Sequence, residues 1–415
     1  MKSRLRCRAA CLPLIPLFFL FQNPLQSQDV ILQGFYWNTH PGDVTNTTTG
    51  GIWWDTITGL APQLAAAGFK TVWTPPPTKS FAGVWDMGYG TYDYFDLGNL
   101  SSKGTTRTRH GSRSQLDGLL NALHGQGLTV MCDVVLNHRG GADAQAQYQF
   151  GGGTGYNTFT PPSNRIPSGP PHVHPNNFHP DNNPDYHNAI FFEDLCYFNQ
   201  KDAQPPTNPD GSPGSWFFGA PTLMGSMGDS LIMWGRWLKN DVGFDEFRLD
   251  AVKHIDPWFV KKFLIESNNG AQPFSVGESF EYGLSNLENY WSAVQHPDNS
   301  GGVKNAKISL FDFPLRGALK SVLNDGSGSA DLYNTLGNAG LVWATSMGGF
   351  DVVTWLESHD TDRQGYIGAS SGCPIPYGSA CLELHTENDH DPVFQDKEDM
   401  GYPFLLAAEG RPVVF

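Results

Sequence analysis

Basic charge is scarce in this sequence. Its 415 residues carry 26 Lys and Arg against 41 Asp and Glu, a formal net charge of −15. That deficit argues against polyanionic partners, because nucleic acid and anionic lipid surfaces repel such a chain. Long apolar runs are also missing: beyond the first 27 residues no segment is long and apolar enough to span a bilayer. Cysteine is sparse, six residues in all, so no dense disulfide framework is available. Only 16% of residues are charged, yet the chain is not of disordered composition, since 39% is hydrophobic and 13% aromatic. The 47 Gly and 30 Pro point instead to a loop-rich globular chain. At 415 residues it suits one α/β barrel with insertions, or two to three domains.

Residues 1–27 read as a secretory signal. Lys2, Arg4, Arg6 and Arg8 precede the apolar stretch Ala9–Phe21, which is too short to cross a membrane, and Ser27 could sit at the cleavage point, although Leu25 is a poor small-residue match. The mature chain is then expected to be secreted, extracellular or periplasmic. It would keep 22 basic against 41 acidic residues, a net charge of −19. Cys7 and Cys11 leave with the signal. Cys373 and Cys381 share a Gly- and Pro-rich loop and could form a disulfide, which export permits, or stay free. Cys132 lies in an apolar run and is expected to be a buried thiol. The 12 Trp suit a sugar-binding cleft, where flat rings cover pyranose faces, although a packed core explains most aromatics equally well.

Strand-like and helix-like segments alternate. Strands are expected at 30–37, 69–75, 128–136, 244–249, 274–276, 307–311, 351–355 and 412–415. Helices are expected at Trp54–Ala67, stopped by Gly68, at Arg113–His124, stopped by Gly125 and Gly127, near Leu231–Asn240, and after Asp256 as N-cap with Pro257 at the first position. Residues 138–227 break the alternation. They are rich in Gly, Pro, Asn and His, and too long for a plain loop, so they read as an inserted subdomain after the third strand. The domain reading is therefore a catalytic unit of 28–137 and 228–415 with 138–227 inserted. Eight alternating units favour a closed parallel (β/α)8 TIM barrel, whose active site lies at the C-terminal strand ends.

Four segments close strand-like runs with charged or imidazole groups: DVVLNH (Asp133–His138), FRLDAVKH (Phe247–His254), GES (Gly277–Ser279) and ESHD (Glu357–Asp360). Arg248 and Asp250 share a strand face, so the guanidinium can keep the carboxylate ionised, as a nucleophile requires; a structural ion pair is the ordinary alternative. Glu278 at a strand end suits a general acid if burial raises its pKa. Asp360 beside His359 is a weak signal alone. Asp133 reads best as a hydrogen-bonding support, and His138 could donate to a sugar hydroxyl. Hard oxygens at Asp133 or Asn137 suit calcium.

Taken in order, these four segments resemble the signature regions of the α-amylase family, glycoside hydrolase family 13. VWTPPPTKS (Val72–Ser80), DMGYGTYDYFDLG (Asp86–Gly98) and KGTTRTRHGSRSQL (Lys103–Leu116) resemble the same family, and the likeness runs from about residue 30 to 415. It implies a secreted, calcium-dependent, endo-acting α-amylase that cleaves internal α-1,4-glucan bonds with retention, on an α-glucan substrate and as a monomer. Residue by residue, it implies Asp250 as nucleophile, Glu278 as acid/base and Asp360 as the third carboxylate. It implies Arg248, His138, His359, Tyr89, Lys253 and His254 as substrate-binding groups. For calcium it implies Asn137, the His254 carbonyl and Asp194, with Asp185 a looser match. A maltooligosaccharide-forming exo-enzyme, an α-glucosidase or a transglycosylase of the same family stays open, as does an inactive glucan-binding relative.

The sequence departs from the family in three places. Ser358 stands where Asn is usual, and Glu246 stands where Gly or another small residue is usual. The family also continues with a last helix and a C-terminal β-sandwich, which this sequence does not include. A truncated chain, with apolar barrel surface uncovered and stability reduced, is the expectation.

Overall fold

Strand pairing in the computed structural model follows the alternation expected from sequence. The structure describes residues 29–37, 39–147, 154–162, 195, 227–267, 274–295, 306–325, 336–361, 376–377, 380–381 and 395–415. The eight strands are β1 (Ile31–Gln33), β2 (Thr71–Thr74), β3 (Thr129–Val134), β4 (Glu246–Leu249), β5 (Ser275–Gly277), β6 (Ser309–Phe311), β7 (Val352–Thr354) and β8 (Arg411–Val414). Each pairs in parallel with the next, and β8 pairs with β1, which closes the barrel. The paired spans are mostly shorter than the apolar runs, because tilted, staggered strands share only a short window with both neighbours.

Side-chain alternation sorts each strand into two layers. On β3, Val130, Cys132 and Val134 face the helices, in a cluster with Phe247 and Leu249 of β4. Met131 belongs to the inner cluster with Ile31, Trp73, Val276, Phe311, Val353 and Val413. Both faces are covered, which is why these strands read as near-continuous apolar runs. The Cys132 thiol is free and buried, as expected.

Helices α1 (Trp53–Ala66), α2 (Arg113–Gly125), α3 (Met227–Trp237), α4 (Pro257–Glu266), α5 (Leu284–Gln295), α6 (Phe313–Leu323) and α7 (Gln395–Ala407) separate successive strands. Leu116, Leu119, Leu120 and Leu123 give α2 one apolar face, and a capping box between Ser112 and Gln115 starts it. Pro257 opens α4 as expected, but Asp256 in the N-cap position makes no side-chain cap bond. α3 starts four residues earlier than the periodicity suggests and hands over to a π-helical turn, Leu238–Val242. The wide turn buries Leu238 and Val242 together and ends at Gly243, whose φ of 102° favours glycine.

Two polar devices hold the ends of the barrel. Near the N-terminal strand ends, Arg411 of β8 reaches Glu246 of β4 (3.1 Å) and Thr71 of β2 (2.6 Å), while Thr129 of β3 also donates to Glu246. Glu246 is therefore the countercharge to Arg411, which accounts for an acid where a small residue is usual. In the loop after β2, the buried Lys79 ammonium donates to the carbonyls of Leu100, Thr105, Thr106 and Arg107 and pairs with Asp96 at 3.4 Å. That hub braces the long loop carrying Tyr89.

Several expectations lie outside the described residues: the signal at 1–27, most of 138–227 with Asp185, Asp194 and Cys196, and Cys373. Within 138–227, Ala144–Gln147 pairs antiparallel with Thr154–Thr158. Among the described residues no helix is long and apolar enough to cross a membrane.

Candidate active site

The β3–β4 ladder aligns Asp133 with Arg248. Arg248 is fully buried, with its guanidinium over the Trp73 ring at 5.1 Å. Its Nη1 donates to Asp133 Oδ1 (2.9 Å) and to Asp250 Oδ1 (2.6 Å). Its Nη2 pairs with Glu278 Oε1 at 2.8 Å. One cation thus gathers three carboxyl groups from the ends of β3, β4 and β5. Burial opposes its charge, but the three carboxylates outweigh that penalty and hold its pKa above the ordinary arginine value.

The carboxyl groups differ in surroundings. Burial pushes Glu278 up to about 8; Arg248 pulls it down, while Asp250 and Asp360 push it further up. Asp133, fully buried, is raised to about 7 by desolvation and by Asp250, against the pull of Arg248. Tyr89 Oη and Trp73 Nε1 each donate to Asp133 Oδ2 at 3.0 Å. Asp133 is thus the support expected from sequence, aligning the arginine and the tyrosine. Ala251, next to Asp250, sits at φ 48°, ψ 37°, which costs a non-glycine residue about 1–2 kcal/mol. In that conformation its amide donates to Glu278 Oε2 (3.2 Å), and the Val252 amide donates to the Glu278 carbonyl (2.9 Å).

A second group assembles opposite. His359 Nε2 lies 2.9 Å from Tyr89 Oη and 3.2 Å from Asp360 Oδ2. The His359, Tyr89 and Trp37 ring planes lie within 17° of parallel. His138 Nε2 contacts the Tyr89 carbonyl at 2.9 Å. Lys253 Nζ donates to the Phe280 carbonyl at 2.8 Å, beside the Phe280–Tyr282–Phe313 aromatic cluster. A small cleft between the groups is lined by Gln33, Trp73, Arg248, Glu278, Trp355 and His359.

Of the residues singled out from sequence, Asp250, Glu278 and Arg248 meet directly, and Asp360, His359 and Tyr89 meet directly. His138 joins the second group through the Tyr89 backbone. His254 ends the 3-10 turn Val252–His254 after Asp250. Asn137 is buried, and its carbonyl accepts from the Leu195 amide at 2.8 Å. Among the described residues no three His, Cys, Asp or Glu side chains gather as a metal would require. Sequence reasoning missed Gln33, Trp37 and the buried pair Arg316–Glu357. Gln33 left one trace, as the lone polar residue between Ile31–Leu32 and the aromatic end of its run; Arg316 left none.

The same architecture recurs in solved structures. The fold matches an α-amylase from Geobacillus thermoleovorans complexed with acarbose, with a TM-score of 0.56 and 18% identity over 94% of this chain and 69% of that one. In sequence, the chain is 28% identical to an α-amylase of Bacillus licheniformis over 387 residues, 87% of this chain and 70% of that protein. The chain is a member of the α-amylase family of glycoside hydrolases. No protein-family model matches it. A glucan 1,4-alpha-maltohexaosidase of Bacillus sp. (strain 707) is 27% identical over 351 residues, 75% of this chain, and the chain spans 61% of that protein's length. The family therefore includes a relative named for a defined maltooligosaccharide alongside α-amylases.

Proposed function

We propose that this chain hydrolyses internal α-1,4 bonds of starch- and glycogen-type glucans by double displacement with retention. The observation that carries the reading is the single Arg248 guanidinium holding Asp250 and Glu278 by its two terminal nitrogens, with Glu278 raised to about 8. Adjacent nitrogens of one planar group bring two carboxyls side by side, the kind of pairing a retaining mechanism uses. Asp250, in its salt bridge with Arg248, attacks the anomeric carbon as the glycosidic bond breaks. Glu278, protonated at neutral pH, gives its proton to the leaving oxygen and then takes one from the water that releases the glycosyl group. Asp360, His359 and His138 hold sugar hydroxyls at the scissile bond, and Tyr89 stacks on that sugar. Lys253 and His254 serve the leaving-group side.

The test is starch digestion by the chain and by Asp250→Asn, following anomeric configuration and product length. Long internal fragments of retained configuration that vanish in the variant are expected. A single maltooligosaccharide from the outset would favour the exo-acting reading, and undiminished hydrolysis by the variant would remove the assignment.

Calcium and export belong to the same proposal. Asn137 and the His254 carbonyl, with Asp194 and Asp185, supply the hard oxygens calcium takes. The Leu195 amide on the Asn137 carbonyl, which ties position 195 to the end of β3, supports that grouping. Bound calcium would clamp the inserted segment to the barrel. EDTA should lower Tm and added calcium restore it; a Tm indifferent to both would discard the site. The leader at 1–27 supports secretion, checked by N-terminal sequencing of protein exported by its host.

A further inference from the structure

We infer that Gln33 is a positioning residue that sets the tautomer of His359 and, through it, the donor presented to Asp360 and to the sugar. This rests on the proposed role of His359 in glucan binding. Gln33 ends β1 and is only 3% exposed, as is appropriate for a side chain lining the site. Its Nε2 lies 2.8 Å from His359 Nδ1, a contact between residues 326 positions apart. An amide nitrogen can only donate, so Nδ1 must accept and the imidazole proton must sit on Nε2.

The other side of the ring independently demands a proton on Nε2. His359 Nε2 faces Asp360 Oδ2 at 3.2 Å and Tyr89 Oη at 2.9 Å. The one hydroxyl proton of Tyr89 goes to Asp133 Oδ2, which leaves its oxygen as an acceptor. Only an Nε2–H satisfies both neighbours. Turning the Gln33 amide over would place its oxygen on Nδ1 and force the proton there. In a neutral ring a bare Nε2 lone pair would then oppose the Asp360 carboxylate. The ring cannot escape by rotating, because Tyr89 and Trp37 lie within 9° of its plane and Phe35 packs at 4.9 Å. Among the described residues, charged groups facing this imidazole include Asp360 directly, and Asp133 and Arg248 through Tyr89 and Trp73.

The geometry thus places an Nε2–H of His359 against the Asp360 carboxylate. Gln33 acts through the ring, which its amide nitrogen contacts directly.

The experiment uses the full chain with ¹⁵N-labelled histidine, read by NMR across about pH 6–8, where an imidazole titrates. It compares wild type with Gln33→Met, which keeps length, and Gln33→Glu, whose carboxylate demands an Nδ1–H. In wild type the His359 signals should show Nδ1 unprotonated and Nε2 protonated. Gln33→Glu should protonate Nδ1 and shift the pH dependence of kcat/KM. Gln33→Met should mix the tautomers and lower kcat on maltoheptaose about 10-fold, with KM changed less than about twofold and Tm nearly unchanged. An Nδ1–H signal in wild type, or a Gln33→Met variant with wild-type signals and kcat, overturns the inference. Correct tautomers in a chain that cleaves no glucan would instead overturn the proposed function and leave the role of Gln33 intact.

Discussion

At Glu278, burial and the neighbouring carboxylates Asp250 and Asp360 raise the pKa to about 8 against the pull of Arg248. An unfolded glutamate titrates near 4.5. The folded chain thus binds this proton more tightly than the unfolded one. Its contribution to stability is complete below about pH 4.5 and lost as pH rises through about 8. Glu278→Gln does not titrate, so its Tm should gain on wild type across that window, by the equivalent of a few kcal/mol at the alkaline end, on the order the shift implies. The same variant should lose about 10²–10⁴-fold in kcat. Wild-type kcat/KM should fall above about pH 8 as the acid is lost. A Tm difference that does not vary with pH would show Glu278 to be unperturbed.

Each candidate site group stands on an element whose local structure holds it still. The turn carrying His359 and Asp360 is closed by Thr361, whose hydroxyl donates to Glu357 Oε2 (2.6 Å) and accepts from the Ser358 amide. Glu357 is in turn paired with Arg316 of α6 at 3.3 Å, both fully buried, and Arg316 Nε donates to the Leu356 carbonyl. α6 thereby fixes the C-terminal end of β7. Arg316→Leu leaves Glu357 buried without its cation and should cost about 3–5 kcal/mol in urea unfolding. It should also lower kcat by loosening Asp360. Unchanged stability together with unchanged kcat would show that the pair supports neither.

Across the whole molecule, closure depends on the last strand. β8 completes the ring between β7 and β1, and its Arg411 spans the barrel to Glu246 while its guanidinium covers Phe274 at 4.0 Å. Arg411→Met strands a buried carboxylate and should cost about 3 kcal/mol or more, while Glu246→Met with Arg411→Met should regain most of it. Denaturant midpoints of Arg411→Met, Glu246→Met and the double variant measure the coupling, and additive losses would show the pair to be uncoupled.

The sequence by itself determined the eight strands, the first four helices between them and the three carboxylates at strand ends. Apolar runs bounded by Gly and Pro, and leucines at helical spacing, are local properties that survive without knowledge of partners. Cys132 in its apolar run and Asp133 as a support were readable for the same reason. Only the tertiary structure decided which groups meet. Gln33 finds His359, Arg316 finds Glu357 and Glu246 finds Arg411 across 326, 41 and 165 positions. Strand register and barrel closure bring those pairs together, and no periodicity records them. The raised pKa of Glu278 belongs to the same class, because desolvation and the approach of Asp250 and Asp360 exist only once the barrel has closed around Arg248.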